Sequence, residues 1–211
     1  MQNKVTSLKQ TMLLLAGSPG TGKSYLGNII CKEIPDFFNK ISIDFFKEKL
    51  YEENGFDNIK EKTNLDNLAY TLFYQSIEKS MQKGQSIIAD YPFSYRQYDT
   101  LKILADKYKF QIITITLICD LDILYQRQKE RDLDPERPLG FIMNHYHKGD
   151  TLSDRTKMDI QKTKAEFTKF NDQRGYAKFK LGKTLVFDVS DFTHANYPAL
   201  INKIKKWVGY S

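Results

Sequence analysis

Apolar residues in this chain fall into short, strand-sized runs separated by longer stretches with helical spacing. Met12–Ala16 reads as a first strand, and a helix follows over Lys23–Lys32. Lys40–Ile43 reads as a second strand ending at Asp44, and helical material then runs to a turn at Asn54–Gly55. Leu65, Leu68, Leu72 and Ile77 recur near one face, which predicts a long helix over Leu65–Lys83. Lys83–Gly84 supplies the basic residue and glycine that commonly end helices. Ser86–Ala89 is the third strand, ending at Asp90, and Ser94–Tyr108 the next helix. The β-branched run Gln111–Cys119 is the fourth strand. Asp122–Arg131 is helical, and the proline-marked stretch Asp132–Gly149 is polar with little periodicity. Helix resumes over Ser153–Phe170 with Ser153 as its N-cap. Thr184–Asp188 is the fifth strand and Ala195–Trp207 the closing helix. Strands alternating with helices predict an α/β fold in which helices cover a parallel sheet.

Length and composition narrow the class. The chain has 211 residues, enough for one sizeable core, so residues 1–211 are expected to form a single domain. Its 41% apolar and 27% charged residues are ordinary for a soluble globular protein. No run approaches the roughly 20 apolar residues that span a bilayer. The N-terminus begins basic and turns apolar, as a secretory leader does. Its apolar part is brief, though, and runs straight into a glycine-rich loop, so a cytoplasmic location is expected. Cys31 and Cys119 lack the number for a disulfide framework and the neighbours for a metal site. The net charge of +6 suits polyanionic ligands. The lysines are scattered rather than clustered, so nucleic acid is a partner the pattern does not favour. Oligomeric state is left open.

Gly17-Ser18-Pro19-Gly20-Thr21-Gly22-Lys23-Ser24 fits the phosphate-binding pattern G-x-x-x-x-G-K-[ST] without a mismatch. It lies between a strand and a helix, the context that gives the pattern meaning. Glycines let main-chain N–H groups curl around phosphate oxygens, and the helix N-terminus adds partial positive charge. Lys23 then reaches the β- and γ-phosphates, and Ser24 offers its hydroxyl oxygen to Mg²⁺. Tyr25, next in the helix, is counted with the nucleotide site. The ligand implied is ATP or GTP with Mg²⁺.

In open α/β sheets ligands sit beyond the carboxyl ends of the strands, which singles out Asp44, Asp90 and Asp120. Asp90 is the candidate for the magnesium shell, against a capping or turn role before Pro92. Asp44 is the candidate base for an attacking hydroxyl, and Lys47 the candidate holder of an anionic substrate group. The plainer alternative for these two is a helix cap and a solvated lysine. Asp120 and Asp122 read as helix caps. Arg127 and Arg131 share a helix face, and Arg137 lies in the polar stretch. That stretch, about 132–150, has the composition of a closing lid, whose arginines would meet charge developing on the γ-phosphate. His145 and His147 read as surface or substrate contacts rather than metal ligands. Tyr91, Phe93, Tyr95 and Tyr98, with Arg96 among them, either line an acceptor pocket or belong to the core.

Taken together, Gly17–Ser24, Asp44, Asp90 and the Arg127/Arg131 pair resemble the nucleotide-kinase-like branch of P-loop enzymes. That branch includes adenylate, shikimate and gluconate kinases, chloramphenicol phosphotransferase, polynucleotide kinase and the zeta toxins. The resemblance is nearest to a family of small bacterial ATP-binding proteins labelled AAA-type. It implies a three-layer sandwich with a five-stranded parallel sheet in the order 2-3-1-4-5 and a lid after the fourth strand. By analogy with adenylate kinase, Arg127 would pack near the base and Arg131 would reach phosphates. Asp44 and Lys47 match the spacing of the aspartate and arginine of polynucleotide kinase, with lysine in place of arginine. The segment after Asp90 reads Tyr-Pro-Phe-Ser-Tyr-Arg rather than the Gly-Phe-Pro-Arg of adenylate kinase, which disfavours a nucleoside monophosphate acceptor. The arginine finger of hexameric AAA motors is not evident. The expected activity is γ-phosphoryl transfer to a hydroxyl of a small molecule, with Lys23, Asp44, Arg131 and Arg137 as catalytic groups. Asp44, Lys47 and Arg96 are the expected acceptor contacts. The alternatives are a kinase of a nucleic-acid end or sugar nucleotide, and a nucleotide-binding regulator without transferase activity.

Overall fold

The computed structural model describes residues 8–210; residues 1–7, where the leader-like start lies, and residue 211 fall outside it. Thr11–Ala16 (β1) and Ser86–Asp90 (β3) are buried along their whole length. Nearly unbroken apolar runs of this kind suit the middle of a parallel sheet covered on both faces. Phe38–Ser42 (β2) pairs with β3, Gln111–Ile118 (β4) pairs with β1, and Lys183–Asp188 (β5) closes the other edge. All pairings are parallel and the order is β2-β3-β1-β4-β5, as the resemblance implies. Register decides the function of this sheet. Leu15 pairs with Asp90, Ala16 with Thr116, and Ser42 with Asp90. The carboxyl ends of β1, β2 and β3 are therefore level, and whatever follows each strand meets the others at one rim.

Alternate residues of β1 feed two cores. Met12, Leu14 and Ala16 face one side, with Ala69, Phe73, Ile77 and Met81 of Ile59–Gln82 (α3) and Leu101 and Ala105 of Tyr98–Tyr108 (α4). Leu13 and Leu15 face the other, with Leu26 and Ile30 of Lys23–Glu33 (α1) and Leu200, Ile201, Ile204 and Val208 of Tyr197–Val208 (α7). Each Leu, Ile, Val, Met or Phe among them contributes roughly 1.5–3 kcal/mol on burial. Among the described residues no helix is long and apolar enough to cross a membrane.

Among the element boundaries that differ from expectation, three have a clear local reason. The second strand starts at Phe38 and stops at Ser42, because its partner β3 offers pairs only for those residues. Asp44 thus lies in the first turn of Ile43–Asn54 (α2), not at the strand tip. The long helix α3 begins at Ile59, where the Asn58 side chain accepts from the Lys60 and Glu61 N–H groups. Ser153 caps nothing: the helix after the irregular stretch is Lys164–Arg174 (α6), opened by a reciprocal capping box between Thr163 and Glu166.

The stretch after Leu121–Leu133 (α5) is also less polar in the fold than in the sequence. Leu139, Ile142, Met143 and Tyr146 pack with Tyr51, Phe56 and Met158 into a third apolar cluster. An isolated antiparallel bridge ties Phe56 to Tyr146. The ammonium of Lys62, a buried residue of α3, donates to the Met143 carbonyl at 2.8 Å and lies over the rings of Tyr51 and Phe56. Burial pushes its pKa down to about 8. Lys62→Ala is expected to strand that carbonyl and remove the packed stem, destabilising the chain by about 1–3 kcal/mol. A urea titration of both chains measures the loss; an unchanged midpoint would show that the tether does not matter.

Candidate functional site

The loop between β1 and α1 is a cradle of backbone. Gly17, Gly20 and Gly22 take φ of 122°, 88° and 81°, in the region that L side chains rarely adopt. At Gly17 space is also closed, since a Cβ there would meet the Leu117 carbonyl oxygen at 2.3 Å. The Thr21 hydroxyl donates to the Ser18 carbonyl at 2.9 Å and fastens the loop. The N–H groups of Gly20, Gly22, Lys23 and Ser24 make no loop or capping hydrogen bond among the described residues, and Gly22 caps α1 without a side chain. Free amides at a helix N-terminus are an anion site.

Lys23 is 7% exposed, and its ammonium donates to the carbonyls of Gly17 at 3.1 Å and Ser18 at 2.9 Å. Burial lowers its pKa to about 8, against the attraction of Asp90 and Asp44. The Ser24 hydroxyl donates to Asp90 Oδ2 at 2.5 Å, which joins the loop to the tip of β3. Asp90 is buried, and burial raises its carboxyl above the usual range while Lys23 and Ser24 oppose the rise. A hydroxyl and a carboxylate side by side are hard oxygen donors, which fits Mg²⁺ held by few protein ligands and by phosphates.

A cleft of about 530 Å³ opens over this loop. Asp44 lines it from the first turn of α2, exposed to solvent. Lys47 lines it too, but is already engaged: its ammonium is 3.1 Å from Asp66 and 5.3 Å from the Tyr70 ring centroid. Asp66 also accepts from the Tyr51 hydroxyl at 2.5 Å. Arg131 and Arg137 face the cleft and share Asp132, at 3.0 and 3.7 Å. The Arg137 guanidinium rests 4.2 Å from the Phe141 centroid, and its buried Nε has no hydrogen-bond partner.

Arg127 faces elsewhere. It donates to the carbonyls of Val189 at 2.7 Å and Ser190 at 2.9 Å, with its guanidinium 3.8 Å from the Phe192 ring centroid. Phe192 in turn lies 3.8 Å from where a Gly22 Cβ would be. Arg127 and Phe192 therefore form a flat shelf on the flank of the phosphate loop. Phe192 went unread in the sequence. Tyr25 lines the cleft mouth, 60% exposed, edge-on to Tyr197 at 5.7 Å.

Arg96 is not brought to the site. Ser94 and Gln97 close a capping box around the turn Tyr95–Gln97, which leaves Arg96 exposed and outside the cleft lining. Of the aromatic group around it only Tyr91 lines the cleft; Phe93 is wholly buried. Asp120 caps α5 by accepting from the Asp122 and Ile123 N–H groups. His145 and His147 pair with Asp159 and Asp57 at the surface, and Asp57 holds His147 above its ordinary pKa. No group of His, Cys, Asp or Glu with metal-ligand geometry occurs among the described residues. The opposite wall of the cleft is new: Ile160, Lys162, Phe170, Arg174 and Tyr176 reach it from α6 and its flanks.

Comparison with other proteins agrees with this architecture. No curated protein matches the chain in sequence. A candidate kinase from Chloroflexus aurantiacus superposes with a TM-score of 0.72 at 17% identity, covering 95% of this chain and 97% of that one. The tunicamycin resistance protein of Deinococcus radiodurans gives 0.55 at 9% identity over 96% and 98% of the two chains. A sugar kinase from Janibacter sp. gives 0.52 at 11% identity over 96% of each. Likeness at these identities establishes the fold. Residues 12–144, from the first strand through the phosphate loop and past Arg137, match the model of an AAA domain, and the chain belongs to that family of P-loop proteins.

Proposed function

We propose that the protein is a magnesium-dependent phosphotransferase that moves the γ-phosphoryl group of ATP or GTP to a hydroxyl of a small molecule. One observation carries this reading: the phosphate loop, the Ser24–Asp90 pair and a free carboxylate, Asp44, share a single cleft. Loop amides and Lys23 hold the triphosphate in line. Ser24 and Asp90 would hold Mg²⁺, which would supply charge neutralisation to the phosphates. Asp44 accepts the hydroxyl proton as the oxygen–phosphorus bond forms and the nucleoside diphosphate departs. Arg131 and Arg137 exchange Asp132 for the γ-phosphate oxygens in the transition state. The base lies on the Arg127–Phe192 shelf. Residues 1–211 act as one unit in the cytoplasm, with residues 132–150 as a lid that sheds water from the reaction.

The test is a screen of ATP consumption against a library of hydroxyl-bearing acceptors. Acceptor-dependent turnover, with a phosphorylated product by mass, is the expected result. Basal hydrolysis unmoved by every acceptor, beside intact nucleotide binding, would make the chain a nucleotide-binding regulator instead.

A further inference from the structure

Six cationic side chains line the cleft, and four of them have evident work. Lys23 belongs to the phosphate loop, Lys47 to Asp66, and Arg131 and Arg137 to Asp132. Lys162 and Arg174 remain. Neither forms an ion pair among the described residues. Both are instead steadied on the Phe170 ring, the Lys162 ammonium at 4.3 Å and the Arg174 guanidinium at 5.2 Å from its centroid. Two like charges over one ring repel each other unless a counter-charge arrives, and burial, with Arg174 beside it, lowers the Lys162 pKa. Stacking fixes the guanidinium while leaving N–H groups free for a bidentate anion.

The surroundings point the same way. Tyr176 packs beside Phe170 with centroids 6.2 Å apart, and Tyr70 and Tyr91 line the same cleft. Burial raises the Tyr91 and Tyr176 hydroxyls above the ordinary range, so they stay neutral donors. Neutral hydroxyls beside fixed cations suit a ligand with alcohol groups at one end and negative charge at the other. The triphosphate does not need them, since loop amides and Lys23 already serve it.

We infer that the phosphoryl acceptor is an anionic alcohol, bearing a phosphate or carboxylate that seats on Lys162 and Arg174 while its free hydroxyl faces Asp44. This rests on the phosphotransferase reading but is tested separately. The phosphate loop is first saturated with a non-hydrolysable ATP analogue and Mg²⁺. Glycerol 3-phosphate, ribose 5-phosphate, gluconate, ribose and glycerol are then titrated calorimetrically into the unaltered chain and into Lys162→Ala/Arg174→Ala. At least one anionic probe is expected to bind about tenfold more tightly than its neutral counterpart, and to lose that advantage in the double variant. Phosphate esters ahead of gluconate would assign a phosphorylated acceptor, and the reverse a carboxylated one. Equal binding of neutral probes, no binding of any anionic probe, or unchanged binding in the double variant would each overturn the inference. So would a double variant that loses the ATP analogue instead, since the two cations would then belong to the donor. If the analogue fails to bind even the unaltered chain, the phosphotransferase reading falls. The difference between the two chains toward the anionic probes still decides the subsite.

Discussion

Lys23→Ala is expected to lower phosphoryl-transfer turnover by about 10²–10³-fold, the scale on which one charge-stabilising donor matters in a closed site. Affinity for the magnesium–nucleotide complex should fall with it, because on the proposed reading the ammonium would meet the β- and γ-phosphates in ground and transition states alike. The fold should survive: Lys23 here donates only to the Gly17 and Ser18 carbonyls, and the loop keeps its Thr21–Ser18 fastening. A pH series gives a second reading of the same group. In the nucleotide-free protein Lys23 titrates at about 8, because burial outweighs the attraction of Asp90 and Asp44. A triphosphate favours the ammonium and raises that pKa. Binding therefore takes up a proton wherever the free protein has lost one. Affinity should be flat below pH 8 and fall up to about tenfold per unit above it, until the pKa of the bound form is passed. Titration of a fluorescent ATP analogue between about pH 7 and 9.5 measures the slope. Lys23→Ala should bind weakly and without that slope; an equally steep fall in the variant would assign the titration to another group.

The parts of this molecule legible in its sequence are those built by local chemistry. The loop at Gly17–Ser24 is readable because positive φ at Gly17, Gly20 and Gly22 needs glycine, and because phosphate chemistry needs Lys23 and Ser24 at fixed offsets from them. Asp90 is readable because a polar residue ending the buried run Ser86–Ala89 has few reasons to be there. The sheet order came from resemblance rather than from periodicity, and pairing confirms it. Failures lie where partners are distant. The stretch Asp132–Gly149 looks polar because its apolar residues are sparse, yet four of them find Tyr51 and Phe56, some ninety positions earlier. The Thr163–Glu166 pair has the spacing of a capping box in the sequence itself, whereas the expected cap Ser153 stands eleven residues before the helix begins. Arg96 looked like an acceptor contact by its company in sequence, but a tight turn carries it out to solvent. Lys162, Arg174 and Phe192 could not be seen at all. Nothing local marks them: α6 packs on α5 beside the cleft, and Phe192 follows β5 at the sheet edge, so distant partners place them.

Asp44→Asn should separate catalysis from binding, which makes it the sharper of the two substitutions. A carboxylate that accepts the acceptor's proton contributes about 10²–10⁴-fold, and the amide cannot replace it at near-identical size. Turnover should fall by that factor. Magnesium–nucleotide affinity should stay close to that of the unaltered chain, since Asp44 stands in α2, across the rim from the loop and from the Ser24–Asp90 pair. A second consequence follows from charge alone. Asp44 is one of the two carboxylates whose fields help Lys23 stay protonated. Removing its charge lowers the Lys23 pKa, so the pH at which nucleotide affinity begins to fall should move below 8. A merely structural role for Asp44 would move stability and, through the lost charge, the midpoint, while leaving the turnover ratio alone. Single-turnover measurements with saturating nucleotide, beside the same fluorescence titration, read the two effects independently. Full turnover in Asp44→Asn, with the midpoint shifted as described, would keep Asp44 in the site electrostatically and pass the base role to another group or to none.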